Sequence, residues 1–156
     1  MPQEPSAEEQ SRWHRRFAVE CNNRAWQLAD QASCTPAEDE EMLNAAHAAA
    51  LHWARVGNPL NDARARLLLG HVHARLGNAD LALRFASASH AYLSGIESPD
   101  WEIAFSQAVM AHAAAAGHDH ASHQVHYIAA RAAGDAIKDA EDRAIFETTF
   151  AGIPVP

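Results

Sequence analysis

Histidine is the residue type in this sequence with the most obvious capacity for chemistry. The chain of 156 residues contains eleven histidines, and five of them fall in one short stretch. Three of these five, His120, His123 and His126, are spaced three residues apart, so on one helix their imidazoles fan over about 120°. Imidazoles at this spacing can share a Zn²⁺ or Cu²⁺ ion, with His112 or Asp119 as a further ligand.

The position of these histidines on their helix argues against a metal site of high affinity. The apolar residues of the same helix recur at helical spacing and are Ala121, Val125, Ile128 and Ala132. His123 lies opposite this stripe, so we expect the three histidines to face solvent, without the neighbouring groups that orient a native metal site. We therefore expect no cofactor. A divalent-metal-binding helical protein that uses the His112–His126 cluster is the alternative function.

Motifs of covalent and acid–base catalysis are absent from the sequence. It contains no Gly-x-Ser-x-Gly elbow and no Gly-rich phosphate loop. No Glu is followed three residues later by His, the pattern that di-metal helical bundles use. Cys21 and Cys34 are the only cysteines, too few for a disulfide framework or a thiolate zinc site. We therefore expect a protein without catalytic activity in the reducing environment of the cytoplasm.

The overall charge of the chain excludes some classes of partner. Twelve basic and twenty acidic residues give a net charge of −8 with His neutral. This sign opposes non-specific binding to nucleic acid and to anionic membrane surfaces. No apolar run approaches the roughly 20 residues of a membrane span, and residues 1–6 lack the basic start and apolar stretch of a signal peptide. We expect neither a nucleic-acid partner nor a membrane partner.

One segment, residues 59–96, departs from this acidic balance. Its charged residues are the basic Arg64, Arg66, Arg75 and Arg84 and the acidic Asp62 and Asp80. The segment therefore has a net charge of +2, whereas the whole chain has a net charge of −8. A local excess of arginine predicts recognition of carboxylates, and hence an acidic partner.

The composition of the chain predicts an all-α fold that could position these residues. Alanine accounts for 36 residues, whereas Val, Ile and Thr together account for only 15. Alanine has the highest helix propensity, and β-branched residues have the highest strand propensity. The balance excludes a β-sandwich, a barrel and a doubly wound sheet.

Helix start and stop residues divide the chain into about seven helices. Ser6 with Glu9 forms a capping box, and Thr35 followed by Pro36 marks a second start. Short connections force neighbouring helices to pack antiparallel, which predicts a single domain of stacked α-hairpins over residues 1–156. The predicted units are a long N-terminal hairpin over 7–56, hairpins over 59–94 and 99–133, and a C-terminal helix over 139–151.

The two central hairpins show a weak internal repeat. Shifting the chain by 40 residues superposes Pro59 on Pro99 and matches the small residues and helix boundaries of the two hairpins. In the best unit, residues 63–96, Gly70 and Ala82 are small where the two helices should cross. This unit resembles the tetratricopeptide-repeat (TPR) family in its packing residues, and the resemblance is weaker over residues 99–133.

The TPR resemblance implies a concave groove, lined by the first helix of each hairpin, that receives an extended peptide. The groove positions carried over from the family are Arg64, Leu67, His71, Ala74 and Arg75. Arg64, His71 and Arg75 would then stand on successive turns of one face, where they could bind an acidic peptide or a C-terminal carboxylate. The resemblance thus implies a protein–protein interaction module.

Association of the chain with its own copy is an alternative use of the same surface. The corresponding face of the helix over 99–116 consists mostly of small residues, namely Ala104, Gln107, Ala111, Ala114 and Ala115. A face of this kind could receive another helix, so we expect either a partner protein or a homo-oligomer.

Overall fold

Seven α-helices and no β-strand make up residues 4–156, the part of the chain that the computed structural model describes. The helices are α1 (Ala7–Ala29), α2 (Pro36–Val56), α3 (Pro59–Arg75), α4 (Ala79–Ser94), α5 (Asp100–Ala116), α6 (His120–Asp135) and α7 (Ala140–Phe150). The first three residues, part of the stretch considered above for a signal peptide, lie outside the described residues. Within these limits, no helix has the length and apolar composition needed to cross a bilayer. The predicted all-α class and the seven helices are confirmed.

Several predicted start residues cap their helices through hydrogen bonds. The Ser6 hydroxyl accepts a bond from the backbone N–H of Glu9, and the Glu9 carboxylate accepts one from the N–H of Ser6. Thr35 and Glu38 form the same reciprocal arrangement at α2. The Asp139 carboxylate caps α7. Because these caps depend only on neighbouring residues, the sequence locates the helix starts to within a residue or two.

The helices pack as successive hairpins, and the odd-numbered helices also pack against one another. Helix α3 contacts both α1 and α5, and α5 contacts α7, so these four helices form an inner row. Each of α2, α4 and α6 packs against the odd-numbered helix before it and the one after it. Helices α3 and α5 are buried along most of their length and form the centre of the molecule.

The close crossing between α3 and α4 occurs at Gly70, as the repeat pattern predicts. A Cβ atom on Gly70 would lie 2.9 Å from the backbone nitrogen of Ala86 and 3.1 Å from Cγ1 of Val109. Ala82 and Ala86 are buried on the facing side of α4. The three helices α3, α4 and α5 therefore meet at a point where only a hydrogen atom fits.

The two central hairpins repeat with a period of 41 residues, and not the 40 residues that the sequence comparison predicts. Helix α3 begins at Pro59 and α5 at Asp100, and each has 17 residues. The following loops keep this register, because Gly77 and His118 both have positive φ, 76° and 57°. The difference of one residue arises because the two prolines are not equivalent. Pro59 is the first residue of its helix, whereas Pro99 is an N-cap.

Helix α6 turns to the core the face opposite to the one that its sequence predicts. Val125 and Ile128, predicted to be buried, are 64% and 60% exposed, and His123 and Gly134 are buried instead. A Cβ atom on Gly134 would overlap the ring of Phe146. The buried face thus carries Ala130 and Gly134, which allow close packing, together with His123. Gly134 is a packing residue in the last turn, and the helix ends after it.

The alanine face of α5 also lies differently from the prediction. Ala104, Ala111 and Ala114 are buried in the core of the same chain, and Gln107 and Ala115 are half-buried. This face is therefore already occupied, and it is not available to a second copy. Small residues lie here because the neighbouring helices approach closely.

The apolar stripe of α1 is buried only in part. Trp13 and Phe17, whose spacing of four residues places them on one face of α1, are 50% and 44% exposed. Apart from Ala18, the buried residues of this helix lie in its last five positions. The C-terminal end of α1 is thus the part that joins the inner row.

Candidate functional site

A cleft of about 360 Å³ opens among the four odd-numbered helices, and we refer to it as the odd-helix cleft. Its volume is at the lower end of the range for ligand sites, about 300–1,000 Å³. The apolar residues that line it are Trp26, Leu67, Trp101, Phe105 and Ile145. The polar residues that line it are Asn22, Asp30, Arg64, Asp142 and Thr149.

The aromatic rings of Trp26, Trp101 and Phe105 form one wall of the odd-helix cleft. The Trp26 and Phe105 rings meet edge to face, with centroids 5.8 Å apart. The Trp101 and Phe105 rings also meet edge to face, at 6.2 Å. Behind this wall the Phe105 ring contacts the buried Phe146 ring of α7. Because each ring is held by another, the wall is preorganised and needs little ordering to receive a ligand.

Arg64 is the only cation among the residues that line the cleft. Its Nε donates a hydrogen bond to Oε1 of Glu102, whose side chain is completely buried. The guanidinium carbon lies 5.5 Å from the centre of the Trp101 ring. Glu102 Oε2 is buried and has no hydrogen-bond partner in the described part of the chain. The positive charge of Arg64 therefore serves first to compensate a buried carboxylate.

A hydrogen bond in the lining of the cleft joins the end of α1 to α7. Thr149 of α7 donates from Oγ1 to Oδ1 of Asp30, the C-cap of α1, over 2.9 Å. Burial raises the pKa of the Asp30 carboxyl, whereas the Thr149 bond and the charge of Arg75 act in the opposite direction. Asp142, near the start of α7, adds a second carboxylate to the lining. This side of the cleft is acidic.

The four residues predicted to bind a peptide are divided between the cleft and the packing behind it. Arg64 and Leu67 line the cleft. His71 is buried, and its ring stacks on Trp26 with centroids 5.3 Å apart. Arg75 donates from Nη2 to the backbone carbonyl of Gln31 over 2.7 Å. Two of the four residues could therefore touch a ligand directly, and the other two support the wall or the end of α1.

The three histidines considered as metal ligands lie in different environments. His120 is exposed, as predicted, but the buried His123 donates from Nε2 to the Pro154 carbonyl over 2.8 Å. The half-buried His126 donates from Nδ1 to Oε1 of Gln107 over 2.7 Å. The expectation that all three face solvent is wrong, because α6 is turned as described above. Among the described residues, no group of three or more His, Cys, Asp or Glu could hold a metal ion.

Eight of the eleven histidines instead form pairs between helices, a feature that the sequence analysis missed. Three pairs are joined by ring nitrogens at hydrogen-bond distance: His14–His52 at 2.8 Å, His47–His73 at 3.2 Å and His71–His112 at 3.1 Å. In a fourth pair, the rings of His90 and His126 meet edge to face. Spacing within one helix gives no sign of these pairs. The 41-residue period would have revealed one of them, because His71 and His112 are equivalent positions.

Burial keeps the His71–His112 pair neutral. It lowers the pKa of His71 well below its usual value, and the charges of His112 and Arg75 act in the same direction. Burial also lowers the pKa of His112 to about 4, helped by the charges of Arg75 and His123. In this hydrogen bond one Nδ1 atom donates and the other accepts. If both Nδ1 atoms carried a proton, two N–H groups would face each other and no bond could form. The pair is therefore a structural link between α3 and α5.

The aromatic residues of the cleft were also missed. Trp101 and Phe105 are four residues apart and so lie on one face of α5. This spacing indicates a shared face, but the 40-residue alignment places four alanines and Gln107, and neither aromatic residue, at the groove positions of α5. Trp26 had no such signal, since the contact between α1 and α5 depends on the tertiary fold.

Comparisons of the chain with protein-family models, with curated proteins and with solved structures found no match. The geometry of the odd-helix cleft and the sequence pattern of residues 63–96 are therefore the basis for assigning a function.

Proposed function

We propose that the protein is a TPR-like interaction module that binds a segment of a partner protein in the odd-helix cleft. The observation that carries this proposal is the aromatic-walled cleft among α1, α3, α5 and α7. In the hairpin units predicted from the sequence, these are the first helix of each hairpin and the final helix. In the TPR family the first helices line the peptide groove.

The dimensions and lining of the cleft favour one or two side chains of a polypeptide. The lining is predominantly apolar, with Trp26, Trp101 and Phe105 as its largest residues. Burial of an apolar or aromatic anchor in such a pocket supplies much of the binding energy in protein interfaces. A segment crossing the cleft could place one anchor there while its backbone remains on the surface.

We further propose that the module acts by binding, without catalysis. Three of the cleft's polar residues are engaged within the protein, since Arg64 pairs with Glu102 and Thr149 bonds to Asp30. We also propose that the protein resides in the reducing cytoplasm, because both of its cysteines are free.

The test is to select peptides from a random library on the wild-type protein and on two variants. The variants carry the same substitution at neighbouring positions of α1. Asn22 lines the cleft, and its neighbour Asn23 on α1 is exposed and does not line it. Asn22→Phe should obstruct the cleft, whereas Asn23→Phe makes the same change outside it. We expect the wild type and Asn23→Phe to enrich the same peptides, and Asn22→Phe to lose at least tenfold in enrichment.

The affinity of one enriched peptide, measured by calorimetry, gives a second readout. A loss of about 1.4 kcal/mol in binding free energy would correspond to the expected tenfold effect. Melting temperatures of the three proteins would show that both substitutions leave the fold intact. If no peptide is enriched on the wild type over Asn22→Phe, the proposed function is wrong.

A further inference from the structure

The charges around the odd-helix cleft indicate which kind of side chain it would accept, an inference that rests on the proposed function. Arg64 contributes one positive charge to the lining, and Asp30 and Asp142 contribute two negative charges. The buried Glu102 behind Arg64 adds a third negative charge. Even with the nearby Arg75 counted, the cleft is net negative. The whole chain, at −8, has the same sign.

An anionic group would therefore meet unfavourable conditions in the cleft. The one lining cation already faces a buried carboxylate through its Nε atom, so a second carboxylate would compete with Glu102 for Arg64. The sequence predicts that an acidic partner peptide would also bind to His71 and Arg75. Burial lowers the pKa of His71 well below its usual value, and the Arg75 guanidinium is bonded to the Gln31 carbonyl.

A cationic group with an apolar stem would meet favourable conditions. Indole rings attract cations to their faces, most strongly where water is excluded. Trp26 lies in the same lining as Asp30, which follows it by four residues at the end of α1. A planar guanidinium can stack on an aromatic ring and bond to a carboxylate at the same time, which an ammonium does less well.

We propose that the odd-helix cleft recognises an arginine side chain of a partner segment. The guanidinium stacks on Trp26 within reach of Asp30 and Asp142, and the alkyl stem packs against Leu67 and Phe105. Binding requires no movement of Arg64, which continues to compensate Glu102. The recognised segment is basic, which complements the negative charge of the chain as a whole.

The experiment compares capped peptides that differ at one position. The probes are Gly-Leu-X-Leu-Gly peptides in which X is arginine, citrulline, lysine, leucine or glutamate, and binding is measured by calorimetry and by tryptophan fluorescence. Citrulline has the shape of arginine without its charge. We expect arginine to bind about tenfold to a hundredfold more tightly than citrulline, the usual range for hydrogen bonds to charged groups. Glutamate should bind least.

Variants of the protein test the assigned carboxylates. In the double variant Asp30→Asn, Asp142→Asn, two negative charges are removed. The amide oxygens remain as hydrogen-bond acceptors, and the one at position 30 can still accept from Thr149. This double variant should lose at least tenfold in affinity for the arginine peptide and little for the leucine peptide. Asp80→Asn, on the exposed surface of α4, removes one charge outside this cleft and should leave both affinities unchanged.

The outcomes separate this inference from the proposed function. Equal affinities for arginine and citrulline, tighter binding of glutamate, or no effect of the double variant would overturn arginine recognition. In each of these cases, binding that Asn22→Phe abolishes would still support the interaction module. If no probe and no library peptide binds in a way that depends on Asn22, both proposals are wrong.

Discussion

The Arg64–Glu102 ion pair shows how a single residue in this protein serves the core and the cleft together. Glu102 is completely buried, whereas 39% of the Arg64 side chain is exposed at the cleft. An isolated buried carboxylate is costly, and its partner reduces this cost only while it remains in place. The orientation of Arg64 in the cleft is therefore fixed from behind, by a residue that a ligand would not touch.

Removal of the Glu102 charge should destabilise the fold. In Glu102→Gln the Arg64 guanidinium loses its counter-charge, and we expect the free energy of unfolding to fall by about 1–3 kcal/mol. Asp62→Asn, which removes the carboxylate of an exposed ion pair with Arg66, should cost less than about 0.5 kcal/mol. Urea denaturation of the three proteins provides the measurement. An equal, small effect in both variants would mean that the buried pair is not formed in solution.

At this scale the sequence predicts only part of the candidate site. Arg64 and Leu67 follow from a repeat pattern, because they depend on position within one helix. Glu102 does not, since its burial depends on how α5 packs against α3. Trp26 is missed for the same reason. Residues whose role depends on contacts between distant helices have no local signal in a single sequence.

Among the helices, glycine permits an unusually close approach at two crossings. Gly70 allows α3 to meet α4 and α5, and Gly134 allows α6 to meet the Phe146 ring of α7. Helix starts are predictable because caps are local. The orientation of α6 is not predictable, because it depends on tertiary contacts, such as those of His123 with the Pro154 carbonyl and of Gly134 with the Phe146 ring.

Substitution of Gly70 tests the central crossing. Gly70→Leu should lower the free energy of unfolding by about 1–3 kcal/mol, the usual range for overpacking, because the nearest obstacle is the backbone of Ala86. Gly117→Leu is the matched control, since Gly117 is exposed and its Cβ would have no neighbour closer than 3.6 Å. Thermal and urea melts should show little change in the control. Equal stability of the two variants would contradict the crossing.

Substitution of Gly134 tests the orientation of α6. Gly134→Ala should destabilise the protein by about 1–3 kcal/mol because the new methyl group overlaps the Phe146 ring. In a Phe146→Leu background the same substitution should cost at least about 1 kcal/mol less. A double-mutant cycle from urea denaturation measures this coupling. Strict additivity would mean that the two residues are not in contact and that α6 faces another way.

For the molecule as a whole, the histidine pairs join both consecutive helices and helices that are two apart in the chain order. They link α1 with α2, α2 with α3, α3 with α5, and α4 with α6. The hydrogen bond between His71 and His112 requires at least one neutral ring, because two protonated rings cannot bond to each other. The stability of the whole fold should therefore depend on pH below the usual pKa of histidine.

The free energy of unfolding should fall as the pH falls from 6.5 towards 4. In this range the histidines of the unfolded chain bind protons, whereas the buried His71 and His112 remain neutral, so stability rises with pH. The shift in the pKa of His112 from 6.5 to about 4 corresponds to about 3 kcal/mol. Urea denaturation at several pH values measures the slope. His112→Gln should flatten it, and the exposed His120→Gln should not; equal slopes in both variants would contradict the neutral pair.

The hydrogen bond from Thr149 to Asp30 spans 119 positions of the chain. It places the cleft at the junction of α1 and α7, so a contiguous segment that contains all of the lining residues must run from Asn22 to Thr149. A bound ligand would therefore contact α1 and α7 at once. By thermodynamic linkage, the free energy of such binding adds to the global unfolding free energy of the domain. Occupancy of this one cleft is coupled to the integrity of the entire chain.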